Sequence, residues 1–258
     1  MTSPNDRQRS VYARYLPINR VSVIEVQQMY RIFESYYAHT DLDTFLRDMS
    51  KKSGVILIRT RGDHQVVGFS TIVNMAMPIG RLQSRGVFSG DTIVEKAYWG
   101  SRALHLAFYR YIIWQKIRKP FTPLFWLLIS KGYKTYLLLA NNFERYYPHP
   151  EHRCPELFPV VRTYCDSLFP GHYDPDREIL DFGQQAQRLK EGVAAVTDEL
   201  ARRHDKIRFF AERNPSWQQG TELPCVGVVT LGNLLSWPFK KWLKERQTPA
   251  LTPASERQ

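Results

Sequence analysis

Cysteine, acidic side chains and long apolar runs are all scarce in this sequence of 258 residues. Its three cysteines, Cys154, Cys165 and Cys225, are too few and odd in number for a disulfide framework, which favours a reducing compartment. The first ten residues are polar and lack the apolar core of a signal peptide. No segment reaches the roughly 18 uncharged apolar residues of a membrane span. We therefore expect a cytoplasmic protein, either free or peripheral to the inner face of the membrane.

The shortage of acidic residues leaves a strongly basic chain. Asp and Glu number 25 against 36 Lys and Arg, which gives a formal net charge of +11. This balance favours an acidic partner: an acidic carrier protein, an anionic membrane surface, a phosphorylated cofactor or nucleic acid. We expect no nucleic acid, because no recognition motif accompanies the charge. Two basic clusters are candidate docking points, Lys116 with Arg118 and Lys119, and Lys240 with Lys241 and Lys244.

The apolar fraction of 43% and the aromatic fraction of 13% are those of a globular protein. The length fits one large domain or a domain with an extension. We predict a flexible tail over residues 1–10, a single domain over residues 11–246, and a disordered tail over residues 247–258 that is rich in Pro, Thr, Ser and charge. Within the domain, residues 149–220 are predicted to be an irregular and helical insertion.

The N-terminal half predicts two helices and then an antiparallel hairpin. Ser22 and Glu25 form a capping box for the first helix, and Asp41 or Thr40 caps the second. Gly68 lies inside a predicted strand. The predicted elements are a strand at 11–16, helices at 22–37 and 42–51, strands at 54–60 and 65–75, and a further strand at 84–88 or 91–98.

The central stretch predicts strand, glycine turn, helix, strand and helix. Its elements are residues 91–98, the turn at 99–102, and residues 103–118, 124–130 and 131–147. A strand that ends in a glycine turn and opens a helix makes an anion site, because the free N–H groups of the first helical turn point at it. The later chain predicts helices at 158–167, 184–203 and 206–213, and strands at 178–182 and 223–231.

This order of elements, over roughly residues 10 to 148, resembles the GCN5-related N-acetyltransferase (GNAT) superfamily. Val67-Gly68-Phe69 matches the Val-Gly-Phe that this family often carries in its third strand. The family's coenzyme A loop reads Arg/Gln-x-x-Gly-x-Gly/Ala, where this chain has Ala97-Tyr98-Trp99-Gly100-Ser101-Arg102. The resemblance implies a mixed α/β (α+β) fold. Its central sheet would be mostly antiparallel and flanked by helices, with a helical insertion before the last strand.

The resemblance also implies an activity, transfer of an acyl group from a thioester to an amine or a hydroxyl. The donor would be acyl-coenzyme A, or an acyl-phosphopantetheine on an acidic acyl carrier protein, as in the related N-acyl amino acid and acyl-homoserine lactone synthases. The alternative is a non-catalytic module of this fold that binds a carrier protein or an anionic membrane surface.

Site residues follow from the resemblance. The general base would be Glu95, nearer the turn, or Asp91, unless one or both face solvent or pair with Lys96 or an arginine. The acid that protonates the thiolate would be Tyr133 or Tyr136, unless these only pack. The donor's phosphates would lie against the turn and its approach, formed by Val94, Lys96, Ala97, Trp99, Gly100, Ser101 and Arg102.

Two other motifs are weaker indications of function. His149, His152 and Cys154 lack the usual zinc spacing, so we expect a plain loop and no metal. Residues 237–246 combine Trp237, Phe239 and Trp242 with four lysines and arginines. This segment is either a packed C-terminal helix or a contact with an anionic membrane or an acidic partner.

Overall fold

The computed structural model describes residues 10–38, 40–183 and 204–234, together with the backbone of 188 and 189. No helix in these ranges is long and apolar enough to cross a membrane. Several sequence predictions lie outside the described residues: nearly all of the N-terminal tail, the segment at 237–246 and the C-terminal tail. The helix predicted at 184–203 also lies outside them except at residues 188 and 189, where the chain forms a short strand instead of a helix.

The strands of the described residues are β1 Val11–Pro17, β2 Tyr37–Ala38, β3 Gly54–Thr60, β4 Val66–Ile79, β5 Leu82–Val94, β6 Leu124–Ser130, β7 Tyr146–Tyr147, β8 Tyr173–Asp174, β9 Ile179–Asp181, β10 Arg188–Leu189 and β11 Thr221–Val229. Nine of these strands form a mixed sheet at the centre of the protein. Eight of the nine follow the order β1-β3-β4-β5-β6-β11-β9-β8, and the short β7 also pairs with β11. In the described part of the chain, β5 and β6 are parallel neighbours and the other pairs are antiparallel. Strand β10 pairs with β2 apart from the main sheet.

Helices cover both faces of the sheet, which confirms the predicted mixed fold class. The helices are α1 Val23–Tyr36, α2 Leu42–Ser50, α3 Ala103–Arg118, α4 Tyr133–Ala140, α5 Phe158–Leu168 and α6 Asp205–Arg213. Helices α3, α4 and α6 share one core with alternate residues of the strands, such as Ile56 and Trp126. On the other face, α1 and α2 pack over β3 to β5, and α5 packs over β5, β6 and β11.

Local sequence explains the elements that were predicted most closely. The Ser22 side chain accepts from the Glu25 N–H at 3.2 Å, and the Glu25 carboxylate accepts from the Ser22 N–H at 2.8 Å, so the capping box is present. Asp41 caps α2 by accepting from the Thr44 N–H at 2.8 Å. The apolar run of β6 is buried because β5 and β11 pair with its two sides and helices cover its faces.

Two predicted elements of the central stretch are wrong. The strand at 91–98 is the end of the longer β5, and residues 96–98 form a 3₁₀ turn. The chain turns there because the Trp99 indole N–H donates to the Val94 carbonyl at 2.7 Å. The helix at 131–147 stops at Ala140, because Tyr146 and Tyr147 pair with Gly227 and Val226 of β11. Tertiary pairing overrides the local helical preference of this segment.

The predicted closing strands are confirmed as neighbours. Thr221 and Glu222 of β11 pair with Asp181 and Leu180 of β9, and β11 also pairs with β6 along the whole of that strand. Since β9 and β11 are separated by α6 in sequence, helical chain does lie between them. The bounds of the tails and of the insertion at 149–220 stay predictions.

The capping box makes a stability prediction. Replacing Ser22 with Ala removes the acceptor for the Glu25 N–H and should lower the free energy of unfolding by about 1 kcal/mol. Urea denaturation measures it. The control is Thr163→Ala, which removes a hydroxyl bonded to the Pro159 carbonyl within α5 without uncapping a helix. Equal losses in both variants would contradict a capping role.

Candidate active site

The sheet opens between its two parallel strands. Pairing of β5 with β6 runs from Arg85 and Leu124 to Ser89 and Leu128 and ends there. Beyond this point β5 continues to pair with β4 as far as Val94, while β6 stays paired with β11. A gap therefore forms at the carboxyl ends of β5 and β6, and the peptide groups of β5 that face it lie outside the β5–β6 ladder.

A β-bulge bends β5 at the mouth of this gap. Ser70 pairs with Thr92 and Ile72 with Ser89, so Thr71 alone opposes both Gly90 and Asp91. A Cβ at Gly90 would lie 2.5 Å from the Thr71 hydroxyl, so only glycine fits this close approach. Within the described residues the Thr71 hydroxyl is fully buried and has no hydrogen-bond partner.

Charged side chains collect beside the bulge. Lys131, which follows β6, forms an ion pair with Glu222 of β11 at 3.3 Å, and Glu222 is 3% exposed. The Lys131 ammonium also lies 4.9 Å from the ring centroid of Tyr37, at the end of α1. Asp91 interacts electrostatically with Lys131 and with Lys52. The group therefore joins β5, β6, β11 and the α1–α2 region.

Burial sets the protonation of these groups. It raises the pKa of Asp91, although Lys52 and Lys131 act against the rise. Burial likewise raises the pKa of Glu222 in spite of the ion pair with Lys131. For Lys131 the neighbouring carboxylates outweigh burial, and the pKa is raised. The cluster therefore holds a lysine that stays charged and a half-buried carboxyl group whose proton is held more tightly than that of an ordinary aspartate.

The predicted glycine turn lies just beyond β5. Gly100 has a φ of +85°, the left-handed region that favours glycine, and a Cβ there would meet nothing within 4 Å. Ser101 follows, and its hydroxyl accepts from the Ala103 N–H at 3.3 Å at the start of α3. Exposed backbone at a helix N-terminus is the arrangement that binds phosphate.

An open groove of ≈ 360 Å³ runs beside the turn between α3 and α4. His105 of α3 lines it, and burial lowers the pKa of that imidazole. Lys134 of α4 also lines it and lies 5.0 Å from the ring centroid of Trp99. Thus the first turn of α3 and the first turn of α4 line one groove, and Trp99, which precedes Gly100, lies against Lys134 beside it.

The other predicted residues of the turn have structural contacts of their own. Glu95 is half-buried and its pKa is raised by burial, while its N–H donates to Val67 at 2.9 Å. The Lys96 N–H donates to the Tyr36 hydroxyl at 2.8 Å. Ala97 is exposed, and the Val94 carbonyl accepts from Trp99. These contacts tie the approach to the turn to α1 and β4.

The two candidate tyrosines differ in placement. Tyr133 is half-buried at the first residue of α4, next to Lys134 and the groove. Tyr136 is fully buried, donates to the Pro148 carbonyl at 3.1 Å and packs against Phe209 and Phe210. Burial raises the pKa of Tyr136 far above its usual range. The packing interpretation therefore fits Tyr136, and Tyr133 is the better placed of the two for proton transfer.

Sequence reasoning missed four residues of the site: Tyr37, Thr71, Lys131 and Glu222. Glu222 carried one available signal, a carboxylate directly before the apolar strand predicted at 223–231. Such a group needs a partner when buried. The partner, Lys131, lies more than 90 residues earlier, so only the pairing of β11 with β6 reveals it.

The histidine motif forms a surface cluster. His149, Glu151 and His152 offer possible metal ligand atoms within 4.8 Å of one another. However, the His149 Nδ1 accepts from the N–H groups of Glu151 and His152, and the two imidazole rings stack at 4.7 Å. These contacts are those of a loop stabilised by its own side chains, and we assign this cluster no part in the site.

No known family profile matches the chain, and no curated protein sequence matches it. Several solved structures have a similar fold. A conserved protein of Enterococcus faecalis, described as a probable N-acyltransferase, has 10% identity and a TM-score of 0.40, with 50% of this chain and 31% of that chain covered. A GNAT family N-acetyltransferase from Escherichia coli in complex with CoA has 12% identity and a TM-score of 0.38, with 56% and 72% covered.

A third similar structure is an aminoglycoside acetyltransferase from a soil metagenomic sample, at 11% identity and a TM-score of 0.37, with 50% and 82% covered. The present chain spans about a third of the length of the Enterococcus protein. The Escherichia coli protein is described as a member of the GNAT family, the superfamily that the order of elements resembles. At such identities and TM-scores the likeness carries no assignment of activity, which has to be argued from the site.

The charge cluster makes a prediction about stability and pH. Because burial raises the pKa of folded Asp91, the folded state binds a proton that the unfolded state has released above about pH 4. The contribution of Asp91 to the free energy of unfolding should therefore fall as pH rises through that folded pKa. Asp91→Asn should be more stable than wild type at pH 7, and the difference should shrink toward pH 4.

Denaturant titrations between pH 4 and pH 8 measure this difference, with the exposed Asp176→Asn as the control. A stability difference that does not change with pH, or a less stable Asp91→Asn at pH 7, would show that the Asp91 carboxylate is favourably paired in the folded state.

Proposed function

We propose that this protein transfers an acyl group from a thioester to an amine or a hydroxyl, with acyl-coenzyme A as the donor. The observation that carries the proposal is the opening between β5 and β6 beside Asp91, with the Gly100 turn and the N-terminus of α3 at the end of the same strand. A gap of this kind accepts an extended thioester, and the turn accepts its phosphates.

The donor's phosphate groups are proposed to lie against the Gly100 turn. The positive end of the α3 dipole and the first-turn N–H groups favour negative charge there. Trp99 adds a ring face to this region and Ser101 adds a hydroxyl. Arg102 and the neighbouring Lys134 add two positive charges. The thioester arm would then run along the gap, where it takes the place of the missing strand pairing between β5 and β6.

In the proposed reaction the acceptor nitrogen or oxygen attacks the thioester carbonyl. The carbonyl oxygen gains charge and would be held by N–H groups of β5 that face the gap. Asp91 is the proposed base, because it lies at the bulge and burial raises its pKa above the ordinary value of an aspartate. Glu95, favoured by sequence position, is the second candidate. Tyr133 is proposed to protonate the departing thiolate.

A donor carried on an acidic protein is the alternative within this proposal. The basic cluster of Lys116, Arg118 and Lys119, however, lies at the far end of α3. That helix has 16 residues, so the cluster is about 24 Å from the Gly100 turn. A carrier that delivers its thioester to the gap would instead meet Lys134. The position of the cluster therefore favours coenzyme A, and the acyl-homoserine lactone synthase branch stays a prediction.

One observation favours a non-catalytic binding module. The Lys131–Glu222 ion pair is well formed and buried next to the gap, so it could serve to hold the sheet open without any reaction. Under this alternative the protein would bind a thioester or its carrier and turn nothing over. Mass spectrometry of reactions with acetyl-coenzyme A and a panel of amines separates the two, since only the enzyme releases free coenzyme A.

A kinetic prediction follows if Asp91 is the general base. Asp91→Asn should lower kcat by about 10²–10⁴-fold and leave donor binding nearly unchanged, because only the proton acceptor is lost. Glu95→Gln should cost less. Release of free thiol from acyl-coenzyme A, followed over pH, is the measurement, and Asp176→Asn is the control. A large loss in Glu95→Gln with normal rates in Asp91→Asn would move the base to Glu95.

Placement of the phosphates makes a binding prediction. Gly100→Val should weaken coenzyme A binding about ten-fold or more, because a side chain at the turn obstructs approach to the backbone amides. Gly171→Val is a matched control, since Gly171 has a φ of +80° and equally open surroundings. Isothermal calorimetry compares the two. If both variants bind coenzyme A as wild type does, the phosphates lie elsewhere.

A further inference from the structure

A group of exposed apolar side chains projects from the end of the sheet opposite the gap. Arg85 of β5 pairs in parallel with Leu124 of β6, so Leu82 and Phe121, each three residues earlier, lie at the same edge. Phe121 is 98% exposed and Leu82 is 64% exposed. Ile117, 64% exposed in the last turn of α3, belongs to the same end. Large apolar side chains exposed together mark an interaction site.

The segments that carry these side chains are basic and contain no acidic residue. Residues 79–85 include Arg81 and Arg85, and residues 110–123 include four cations, but neither stretch contains Asp or Glu. The four cations are Arg110, Lys116, Arg118 and Lys119. The apolar residues Phe121, Leu82 and Ile117, together with these flanking basic residues, are called here the basic tip. Its charge pattern is complementary to an anionic surface.

Three cations of the basic tip lie close together. Burial and the neighbouring Arg118 lower the pKa of Arg85, and burial and Arg85 lower the pKa of Lys116. Arg85 donates to Gln115, and Lys116 donates to the Thr122 carbonyl at 3.0 Å. Within the described ranges none of the three forms an ion pair, and the Arg85 Nε is buried without a hydrogen-bond partner. Anions placed here would relieve this repulsion.

We propose that the basic tip binds an anionic phospholipid surface. Phe121, Leu82 and Ile117 would enter the boundary between headgroups and acyl chains, while Arg118, Lys119 and Arg81 contact lipid phosphates. Side chains that project from a hairpin and a loop suit insertion into a soft interface. An acidic carrier protein would instead need a flat or concave surface, and Phe121 projects away from the rest of the protein. The proposal is independent of the acyl-transfer proposal.

This orientation has a consequence for the gap. Leu82 and Gly90 are eight residues apart along β5, which is about 26 Å of extended chain. The gap would therefore face water while the basic tip touches lipid, and the lipid would tether the protein without supplying its substrate.

Co-sedimentation with vesicles tests the proposal. The full chain is mixed with vesicles of phosphatidylcholine alone, or with about one-third phosphatidylglycerol, at about 0.1 M and about 1 M salt. We expect binding to the anionic vesicles at low salt, weakened at high salt. The double variants Phe121→Ser with Ile117→Ser, and Arg118→Glu with Lys119→Glu, should each weaken it about ten-fold or more. Both change exposed positions, and circular dichroism verifies that the fold is retained.

Matched controls lie on α1 and α2. Val23 and Ile24 are 74% and 67% exposed, so Val23→Ser with Ile24→Ser removes similar apolar surface away from the basic tip. Arg31→Glu with Lys51→Glu reverses the same number of charges. Equal losses in controls and tip variants would overturn the proposal, as would equal binding to neutral and anionic vesicles. Capture of an acidic carrier protein that Phe121→Ser abolishes, without vesicle binding, would also overturn it and make the tip a protein dock.

Discussion

The structure depends on the place where β5 leaves β6. Two parallel strands that pair along only part of their length need other hydrogen-bonded partner strands beyond the point where they separate. Strand β4 is that partner for β5, and β11 is that partner for β6. The bulge at Gly90 and Asp91 turns β5 at this point, and the close approach of Gly90 to Thr71 allows the turn. Everything proposed for the function uses the space that this separation creates.

The charged group beside the gap carries a cost in stability. Asp91 and Glu222 both hold raised pKa values because of burial, so their charged forms are less favourable in the folded protein than in water. Lys131 offsets part of this cost through its ion pair with Glu222. A core made of apolar residues would be more stable at this position. Retaining ionisable groups there is what a site for proton transfer requires.

The long strand β5 links two chemically different ends of the protein. Exposed apolar residues lie at its start, next to Leu82, with cations around them. The segments that carry these residues contain no Asp or Glu. At its end, carboxylates and a lysine are enclosed, and the chain passes into the Gly100 turn and α3. Because α3 runs back along the sheet to Arg118, the same helix begins at the proposed donor site and ends at the proposed lipid contact.

Local patterns were sufficient to predict the elements whose causes are local. The Ser22 capping box, the helix from Ala103 to Arg118 and the buried strand from Leu124 to Ser130 follow from capping, helix propensity and an unbroken apolar run. Non-local pairing decided the rest. It lengthened β5, ended α4 at Ala140, moved Tyr136 into the core, and brought Lys131 to Glu222. The order of side chains along a sequence does not show which residues will be the partners of a buried charge, because only the folded sheet brings those partners within reach.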